Sequence, residues 1–222
     1  MPQTDVGGKP RRQWAPDARA LSLVGDRWLM VIVRDLAAGP LRLDELRRLL
    51  PGVSAGALES RLAKMVDERL IVRRRIRSLP PRVDLELTDR GRALLPVIGE
   101  IARWELRTNW SQPRADEWVD VAACFRLAPF LGLPCVERPA ARELALAIER
   151  DDRVDRYVFV EEAGRARVEQ RAAVAPAAAL SGSERDWVAA LSPGADLDRL
   201  QVAGDRETAA AFLARFAPPR GD

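Results

Sequence analysis

The stretch from Val53 to Met65, VSAGALESRLAKM, carries Ser60, Arg61 and Lys64, whose side chains are able to contact base edges or phosphates. Its apolar residues recur at i, i+4 and i+7, which predicts a short amphipathic helix. The apolar stripe consists of Leu58, Leu62 and Met65, and the opposite side carries Gly56, Glu59, Ser60 and Lys64, with Arg61 at the border. Arginine is the natural bidentate reader of guanine. The chemistry expected of this helix is therefore recognition of double-stranded DNA, although Glu59 would repel phosphates.

The start of this helix and a basic hairpin after it extend the same chemistry. Ser54 precedes the helix, where its side-chain oxygen can cap free backbone N–H groups, and the exposed helix N-terminus suits a phosphate. Arg77 and Arg82 flank the tip of the predicted hairpin and have no obvious acidic partner, so they are the better hairpin candidates. The candidate DNA-contacting residues are Arg42, Ser54, Gly56, Ser60, Arg61, Lys64, Arg75, Arg77 and Arg82.

Two arginines on the first strand of the hairpin allow two interpretations. Arg73 and Arg75 alternate on one side of the strand, where they could face Asp84 and Glu86 as cross-strand ion pairs. They could equally contact DNA. The sequence alone leaves both interpretations open.

The sequence offers little for catalysis. It contains no histidine, which removes the usual general base, metal ligand and pH switch. Neither a Gly-rich phosphate loop nor a G-x-S-x-G element occurs. Cys124 and Cys135 make neither a disulfide framework nor a metal site and are expected to be ordinary buried thiols. We therefore expect no enzymatic activity, no cofactor and no metal ion.

Length and composition indicate a folded protein without a membrane span. The 222 residues suffice for one large domain or two small ones, and a hydrophobic content of 47% can supply a core. No run of about 18 apolar residues occurs, so no membrane-spanning helix is expected. The first residues lack the apolar segment of a secretory signal, which favours a cytoplasmic location.

Charge is divided unevenly along the chain. Residues 1–110 contain 21 Lys and Arg against 14 Asp and Glu, a net charge of +7. Residues 111–222 contain 15 against 19, a net charge of −4. A basic half joined to an acidic half suggests a nucleic-acid-binding module coupled to a second function.

The elements around Val53–Met65 have the order of a winged helix. The predicted elements are helices at Pro16–Val24, Asp26–Ala38 and Leu43–Leu50, a short strand at Leu41–Leu43, and hairpin strands at Leu70–Arg77 and Val83–Leu87. Pro51-Gly52 closes the helix before the recognition helix. Helix, tight turn, helix and hairpin make Val53–Met65 the expected recognition helix.

A strongly apolar helix follows the hairpin, with Thr88 as its expected cap. A helix this apolar, coming after a complete small domain, needs a partner surface. A dimer interface is the natural one, and packing on the first helix of the domain or on the C-terminal half is the alternative. The candidate dimerisation residues are Leu21, Leu94, Val97, Ile98, Ile101 and Trp104.

Several motifs in Pro16–Arg107 resemble the HxlR family of winged-helix transcriptional regulators. They are Ala18-Arg19-Ala20-Leu21, Val24-Gly25-Asp26-Arg27-Trp28, Gly39-Pro40-Leu41-Arg42, Asp44-Glu45-Leu46, Leu50-Pro51-Gly52-Val53-Ser54, Pro80-Pro81-Arg82-Val83 and Leu87-Thr88-Asp89-Arg90-Gly91. The resemblance implies a homodimer that binds an inverted repeat, with terminal helices of each subunit building the interface.

Two positions depart from the family pattern. Many members have a redox-reactive cysteine just before the proline of the first helix, and Ala15 stands there in this chain. A thiol switch at that position cannot operate here. Family members usually have an aromatic residue after the Gly-Pro-x-Arg run, and this chain has Leu43 there. The replacement is a conservative change in the core.

The second half begins after a boundary at Ser111-Gln112-Pro113. The predicted elements are a helix at Glu117–Leu131, strands at Leu144–Ile148, Tyr157–Glu161, Arg165–Gln170, Val174–Leu180 and Leu200–Ala203, a helix from Ser183 to Leu191 and a terminal helix after Asp205. This order resembles the sterol-carrier-protein-like fold, most closely at Val202-Ala203-Gly204-Asp205. The resemblance implies an apolar tunnel between sheet and helices. A ligand-free dimerisation or scaffolding domain remains the alternative.

The sequence thus predicts an α+β protein with an N-terminal winged helix-turn-helix and a C-terminal α/β sterol-carrier-like domain. The expected units are a flexible basic tail at residues 1–13, a DNA-binding and dimerisation domain at 14–110 and a ligand or regulatory domain at 111–222. The expected function is sequence-specific transcriptional repression by a homodimer. A hydrophobic small molecule bound in the C-terminal domain is expected to control its DNA binding. The alternative is a hydrophobic ligand carrier whose winged helix serves mainly in dimerisation.

Overall fold

The computed structural model describes residues 15–77, 81–131, 142–193 and 197–216. The basic tail predicted over residues 1–13, the hairpin tip at 78–80 and Cys135 lie outside the described residues. Within the described ranges, no helix combines the length and the apolar character needed to cross a bilayer.

The N-terminal half confirms the winged-helix prediction. Its helices are α1 (Pro16–Val24), α2 (Arg27–Asp35), α3 (Leu43–Leu49), α4 (Ala55–Asp67), α5 (Asp89–Arg92) and α6 (Leu95–Thr108), and its strands are β1 (Leu41–Arg42), β2 (Ile71–Ile76) and β3 (Arg82–Leu87). Strand β3 lies between β1 and β2 and is antiparallel to both. Asp26 accepts a hydrogen bond from the backbone N–H of Trp28 and thereby caps α2.

The single helix predicted after Thr88 is instead two helices, α5 and α6. The Thr88 hydroxyl accepts a hydrogen bond from the Gly91 N–H, so the predicted cap is present. Gly91 lies so close to the start of strand β2 that an added Cβ would meet the Leu70 carbonyl oxygen at 2.1 Å. Pro96 falls in the first turn of α6, where its missing N–H leaves no hydrogen bond unmade.

The C-terminal half is built on one mixed sheet. Its helices are α7 (Val121–Leu131), α8 (Glu184–Leu191) and α9 (Arg206–Leu213), and its strands are β4 (Arg142–Glu149), β5 (Val154–Glu162), β6 (Arg165–Glu169), β7 (Ala178–Ser183) and β8 (Gln201–Gly204). The strand order is β6-β5-β4-β7-β8, and among these described strands β4 and β7 are the parallel pair. Ser183 caps α8 and Asp205 caps α9, so both helices begin where the sequence predicted.

Two predicted elements in this half differ most from the observed limits, and the predicted strands β4, β5, β6 and β8 differ by one to three residues at one or both ends. Helix α7 begins at Val121 rather than Glu117, because the Asp120 carboxylate accepts a hydrogen bond from the Ala123 N–H and marks the start of the helix. The strand predicted over Val174–Leu180 is β7, which runs instead from Ala178 to Ser183 because those residues pair with β4.

Aromatic side chains fill the space between the C-terminal sheet and its helices. The Phe125 ring packs edge-on against Trp187 and Tyr157, with ring centroids 4.6 Å and 5.6 Å away. Phe212 packs against both Phe125 and Phe159. The apolar tunnel that the sterol-carrier resemblance implied is therefore occupied by side chains at this place in the described chain.

The two halves pack against each other through α6 and α7. A Cβ added at Gly99 of α6 would lie 2.5 Å from the Cβ of Phe130, so the two helices approach closely. The Trp110 indole N–H donates to the Leu191 carbonyl oxygen at 3.0 Å, which fixes the chain between the two units.

Candidate DNA-binding surface

Helix α4 presents a polar face to solvent because its apolar stripe is buried. Leu58, Leu62 and Met65 lie in the core of the N-terminal half, as predicted. The side chains of Ser60 and Lys64 are consequently exposed on the opposite face. Among the described residues, neither side chain has a hydrogen-bonding or ionic partner, so both are available to a ligand.

The first turn of α4 is open. The Ser54 hydroxyl accepts a hydrogen bond from the Ala57 N–H at 3.3 Å, which confirms its capping role. A Cβ placed on Gly56 would meet no atom within 4 Å. The packing of the fold therefore does not require glycine at this position, and glycine is an unfavourable residue within a helix. An open first turn leaves room for another backbone to approach closely.

Arg61 is anchored within the domain. Its Nε donates to an Asp26 carboxylate oxygen at 3.0 Å, and its Nη1 donates to the Ala57 carbonyl oxygen at 3.2 Å. Asp26 also caps α2, so this contact joins the recognition helix to the start of α2. The predicted role of Arg61 in base reading therefore competes with an existing ion pair.

Glu59 is held by two arginines from neighbouring elements. Its carboxylate lies 2.9 Å from the Arg73 guanidinium on β2 and 3.7 Å from that of Arg47 on α3. The three side chains together carry one positive charge, so the repulsion of phosphate expected from Glu59 is offset. Sequence reasoning missed Arg47, because its spacing along α3 gives no sign that it reaches α4.

Of the two interpretations of Arg73 and Arg75, the cross-strand ion pairs with Asp84 and Glu86 are wrong. Arg73 lies opposite Leu85 and Arg75 opposite Val83, so both arginines project from the face of the sheet that carries these apolar residues. Side chains alternate along a strand, which places Asp84 and Glu86 on the other face. There the Arg74 Nε donates to Glu86 at 2.8 Å.

The remaining hairpin arginines divide into paired and unpaired ones. Arg82, expected to lack an acidic partner, lies 3.3 Å from the Asp84 carboxylate. Arg75 and Arg77 are exposed, and neither forms an ion pair within the part of the chain that the structure describes. These two guanidinium groups are the free cations of the described part of the hairpin.

Arg42 is engaged at the start of α3. Its guanidinium Nη2 donates to a Glu45 carboxylate oxygen at 3.1 Å, and its backbone N–H donates to the other oxygen at 2.7 Å. Partial burial opposes ionisation of Glu45, but these hydrogen bonds lower the pKa of its carboxyl below the ordinary value. In the free protein, Arg42 is therefore engaged with Glu45 at the start of α3, and a DNA contact would compete with this interaction.

The predicted dimerisation residues fall into two groups. Ile101 and Trp104 on α6 are 56% and 60% exposed, and Leu21 on α1 and Val97 on α6 are also exposed. Leu94 and Ile98 instead pack against the core of the N-terminal half. The outward apolar face of α6 thus comprises Val97, Ile101 and Trp104, at the i, i+4, i+7 spacing of one helix side.

A buried charge cluster, which sequence reasoning missed, joins the two halves. Asp35 at the end of α2 and Arg126 of α7 are 1% and 2% exposed, and Arg126 Nη1 lies 3.4 Å from both Asp35 and Asp120. The Arg34 Nε donates to Asp35 at 2.9 Å, and Arg126 also donates to the Tyr157 hydroxyl. Burial raises the pKa of Asp35, although Arg34 and Arg126 oppose that shift.

Cys124 lies beside this cluster. Burial raises the pKa of its thiol to about 12, and the neighbouring Asp120 charge acts in the same direction. The thiol therefore stays protonated at neutral pH, and a protonated thiol is a poor nucleophile.

The exposed polar face of α4, the turn before it and the arginine-rich β2–β3 hairpin define a winged helix-turn-helix of the DNA-binding class. A sequence model for the HxlR-like helix-turn-helix family matches residues 23–113. The chain belongs to this family, and it is a helix-turn-helix transcriptional regulator. Residues 114–222 lie outside that match.

Individual relatives are regulators of the same kind. The HTH-type transcriptional regulator YvaP of Bacillus subtilis is 36% identical over 95 residues, which are 43% of this chain and 86% of YvaP. The HTH-type transcriptional regulator BH0655 of Halalkalibacterium halodurans is 33% identical over 111 residues, which are 49% of this chain and 98% of BH0655. The reduced form of the Bacillus subtilis regulator YodB is similar with a TM-score of 0.40 and 30% identity, covering 44% of this chain and 96% of YodB.

Proposed function

We propose that the protein is a cytoplasmic repressor that binds an inverted DNA repeat as a homodimer, with α4 of each subunit in the major groove. The observation that carries this proposal is the outward face of α4, whose Ser60 and Lys64 side chains are exposed and unpartnered among the described residues. Recognition helices of a dimer engage half-sites about 34 Å apart, one helical turn of DNA. In this arrangement Arg75 and Arg77 contact phosphates or the minor groove beside each half-site.

Selection from random DNA, followed by binding measurements in rising salt, tests the proposal. An enriched sequence with two-fold symmetry and a steep loss of affinity with salt are expected, because each neutralised phosphate releases a counterion. Enrichment of a sequence without symmetry would contradict the inverted repeat. Affinity that does not change with salt would contradict phosphate contact.

A pair of arginine variants separates direct phosphate contact from overall charge. Arg77→Ala is expected to reduce the slope of log affinity against log salt by about 1 for each subunit of the dimer, because one phosphate per subunit is then no longer neutralised. Arg165→Ala is the control, because Arg165 is also exposed and without an ion pair in the described residues but lies on β6 of the C-terminal sheet. Equal effects of the two variants would mean that Arg77 acts only through net charge.

The outward face of α6 supports the homodimer. Ile101 and Trp104 are large apolar side chains left in solvent, and contiguous apolar patches of this kind mark interaction sites. Ile101→Asp is expected to shift the protein from dimer to monomer in sedimentation equilibrium. Val174→Asp, which changes a 90% exposed apolar residue of the C-terminal half, serves as the control and leaves the dimer intact.

We further infer that the C-terminal half has the sterol-carrier-like fold expected from its sequence, and that a hydrophobic effector bound outside the aromatic-filled space between sheet and helices controls DNA binding. The support is that this half lies outside the helix-turn-helix match and packs directly on α6, the helix with the outward apolar face. An effector can shift the protein between two states only if it binds one of them more tightly. DNA affinity measured with and without a bound effector tests whether the effector controls DNA binding. Equal affinity in the two measurements would contradict the inference.

A further inference from the structure

A cavity of about 430 Å³ lies where the two halves of the chain meet. Its wall combines the end of α2, the segment between α6 and α7, and parts of α7 and α8. Residues that matter for its chemistry are Arg34, Trp110, Glu117, Trp118 and Asp120. The volume falls in the range of about 300–1,000 Å³ found for small-molecule sites.

Two tryptophans give the cavity an aromatic wall. Trp110 is fixed by the hydrogen bond from its indole N–H to the Leu191 carbonyl oxygen. Trp118 also lines the cavity and is 73% exposed, so little of the chain covers its ring. An indole ring in this position offers a stacking surface to an aromatic guest.

The charges in the wall favour a cation over an anion. Arg34 is the basic residue of the wall, and its guanidinium is already bound to Asp35 at 2.8 Å and to Asp120 at 3.6 Å. The Glu117 carboxylate accepts a hydrogen bond from the Arg114 backbone N–H but forms no ion pair within the described residues. The unneutralised charge at the wall is therefore negative.

We propose that this cavity binds a lipophilic aromatic cation, whose rings pack on Trp118 and whose charge is balanced by Glu117. A cation over an indole face gains a further attraction from the ring quadrupole. Binding itself is independent of the DNA-binding role. The effect of binding on DNA rests on the proposed function.

The cavity adjoins the buried charge cluster. Arg34 and Asp120 line the cavity, and they also contact Asp35 and Arg126. One oxygen of Asp35 and the Nε of Arg126 are buried without a hydrogen bond from any described residue, so the cluster is incompletely satisfied there. Incompletely satisfied buried networks are costly to maintain. A ligand that displaces Asp120 or Arg34 therefore changes the ion pairs of the cluster, which connect the end of α2 to α7.

Two probes of the same shape and opposite charge test the ligand class. Tetraphenylphosphonium is expected to bind the full chain saturably and to quench tryptophan fluorescence. Tetraphenylborate is expected to bind at least about tenfold more weakly, a difference of about 1.4 kcal/mol. Equal affinity for the two probes, or tighter binding of the anion, would overturn the proposal.

Variants at the wall locate the site. Trp118→Ala is expected to weaken phosphonium binding about tenfold, and Glu117→Gln is expected to remove most of the preference over borate. Asp116→Asn is the matched control, because Asp116 is an exposed neighbour of the same charge that does not line the cavity. If Asp116→Asn and Glu117→Gln reduce the preference equally, the selectivity comes from net charge and the site is not the cavity.

DNA binding separates this inference from the proposed function. Saturating phosphonium is expected to change affinity for the selected operator in the parent chain and not in Trp118→Ala. If the probe binds as expected and operator affinity does not change, the coupling through the charge cluster is wrong and the cavity remains a binding site. If no operator can be selected, the DNA-binding proposal fails while the result for the probes stands.

Discussion

Arg61 illustrates how one residue serves the fold and the proposed interface together. Its guanidinium reaches across 35 residues to the cap of α2, yet it lies at the border of the exposed face of α4. A partly exposed ion pair of this kind contributes about 0–1 kcal/mol to stability. That contribution is small enough for DNA to compete for the same group.

Arg61→Ala is expected to weaken binding to the selected operator more than binding to random DNA, because the loss of a base-reading arginine costs about 1–3 kcal/mol at its own site only. Asp26→Asn is the companion variant, since asparagine keeps the cap of α2 while releasing Arg61. That variant should retain operator affinity. Competition binding with labelled operator and random duplexes measures both, and equal losses on the two duplexes for Arg61→Ala would reduce Arg61 to a phosphate contact.

Gly56 lies at a position where the fold has room for a side chain. Gly56→Ala is expected to stabilise the free protein by up to about 1 kcal/mol, because alanine favours a helix and the new Cβ meets no neighbour. The same change should weaken DNA binding if a phosphate approaches the first turn of α4. Urea unfolding measures the change in stability, and operator binding on the same preparation measures the change in DNA affinity. A more stable variant with unchanged operator affinity would place Gly56 outside the interface.

At the scale of elements, helices α2 and α7 are joined by a buried ion pair. Breaking such a pair by removing one partner leaves a buried charge without compensation, at a cost of about 3–5 kcal/mol. Removing both charges together avoids that penalty. The ion pair therefore need not stabilise the fold relative to an apolar pair. Its role is to hold α2 of the N-terminal half in place against α7 of the C-terminal half.

Arg126→Met is expected to destabilise the protein by about 3 kcal/mol, because Asp35 then keeps a buried charge next to only one arginine. The double variant Asp35→Asn, Arg126→Met should lose at least about 1 kcal/mol less than the sum of the single variants, as neighbouring residues do in double-mutant cycles. Urea unfolding of the four proteins supplies the cycle. Additive losses would show that the two side chains do not interact energetically.

At the scale of the whole molecule, carboxylates held by arginines contribute to the dependence of stability on pH. Partial burial opposes ionisation of Asp155, but hydrogen bonds from Arg150 at 2.8 Å and Arg153 at 3.0 Å lower the pKa of its carboxyl below 3.8. A carboxyl whose pKa is lowered on folding contributes stability above its unfolded pKa, and that contribution is lost as the pH falls through the folded value.

Asp155→Asn is therefore expected to lower the free energy of unfolding at pH 7 by at most about 1 kcal/mol. The difference from the parent protein should close as the pH falls below 3.8. Asp152→Asn is the control, since Asp152 is 77% exposed and lies 3.9 Å from Arg153. A difference between Asp155→Asn and the parent that persists at the acid end would assign the loss to packing rather than to charge.

The elements that the sequence predicted correctly depend on local patterns. The apolar stripe of α4, the Ser54 and Thr88 caps and the outward position of Lys64 all follow from spacing within one or two turns. The limits of α7 and β7 were less predictable, because a cap at Asp120 and pairing with a distant strand decide them.

The sequence by itself determined the winged helix, the recognition helix and the basic half of the chain, because the helical period and turn chemistry act between near neighbours. Only the tertiary structure decided which candidate cations are free. It paired Arg61 with Asp26 and Arg82 with Asp84, and it left Arg75 and Arg77 without ion pairs in the described chain. Charge pairing depends on distance in space, and the contact between Asp35 and Arg126 spans 91 positions. For the same reason the cavity at the joint, whose wall comes from both halves, has no counterpart in any local pattern.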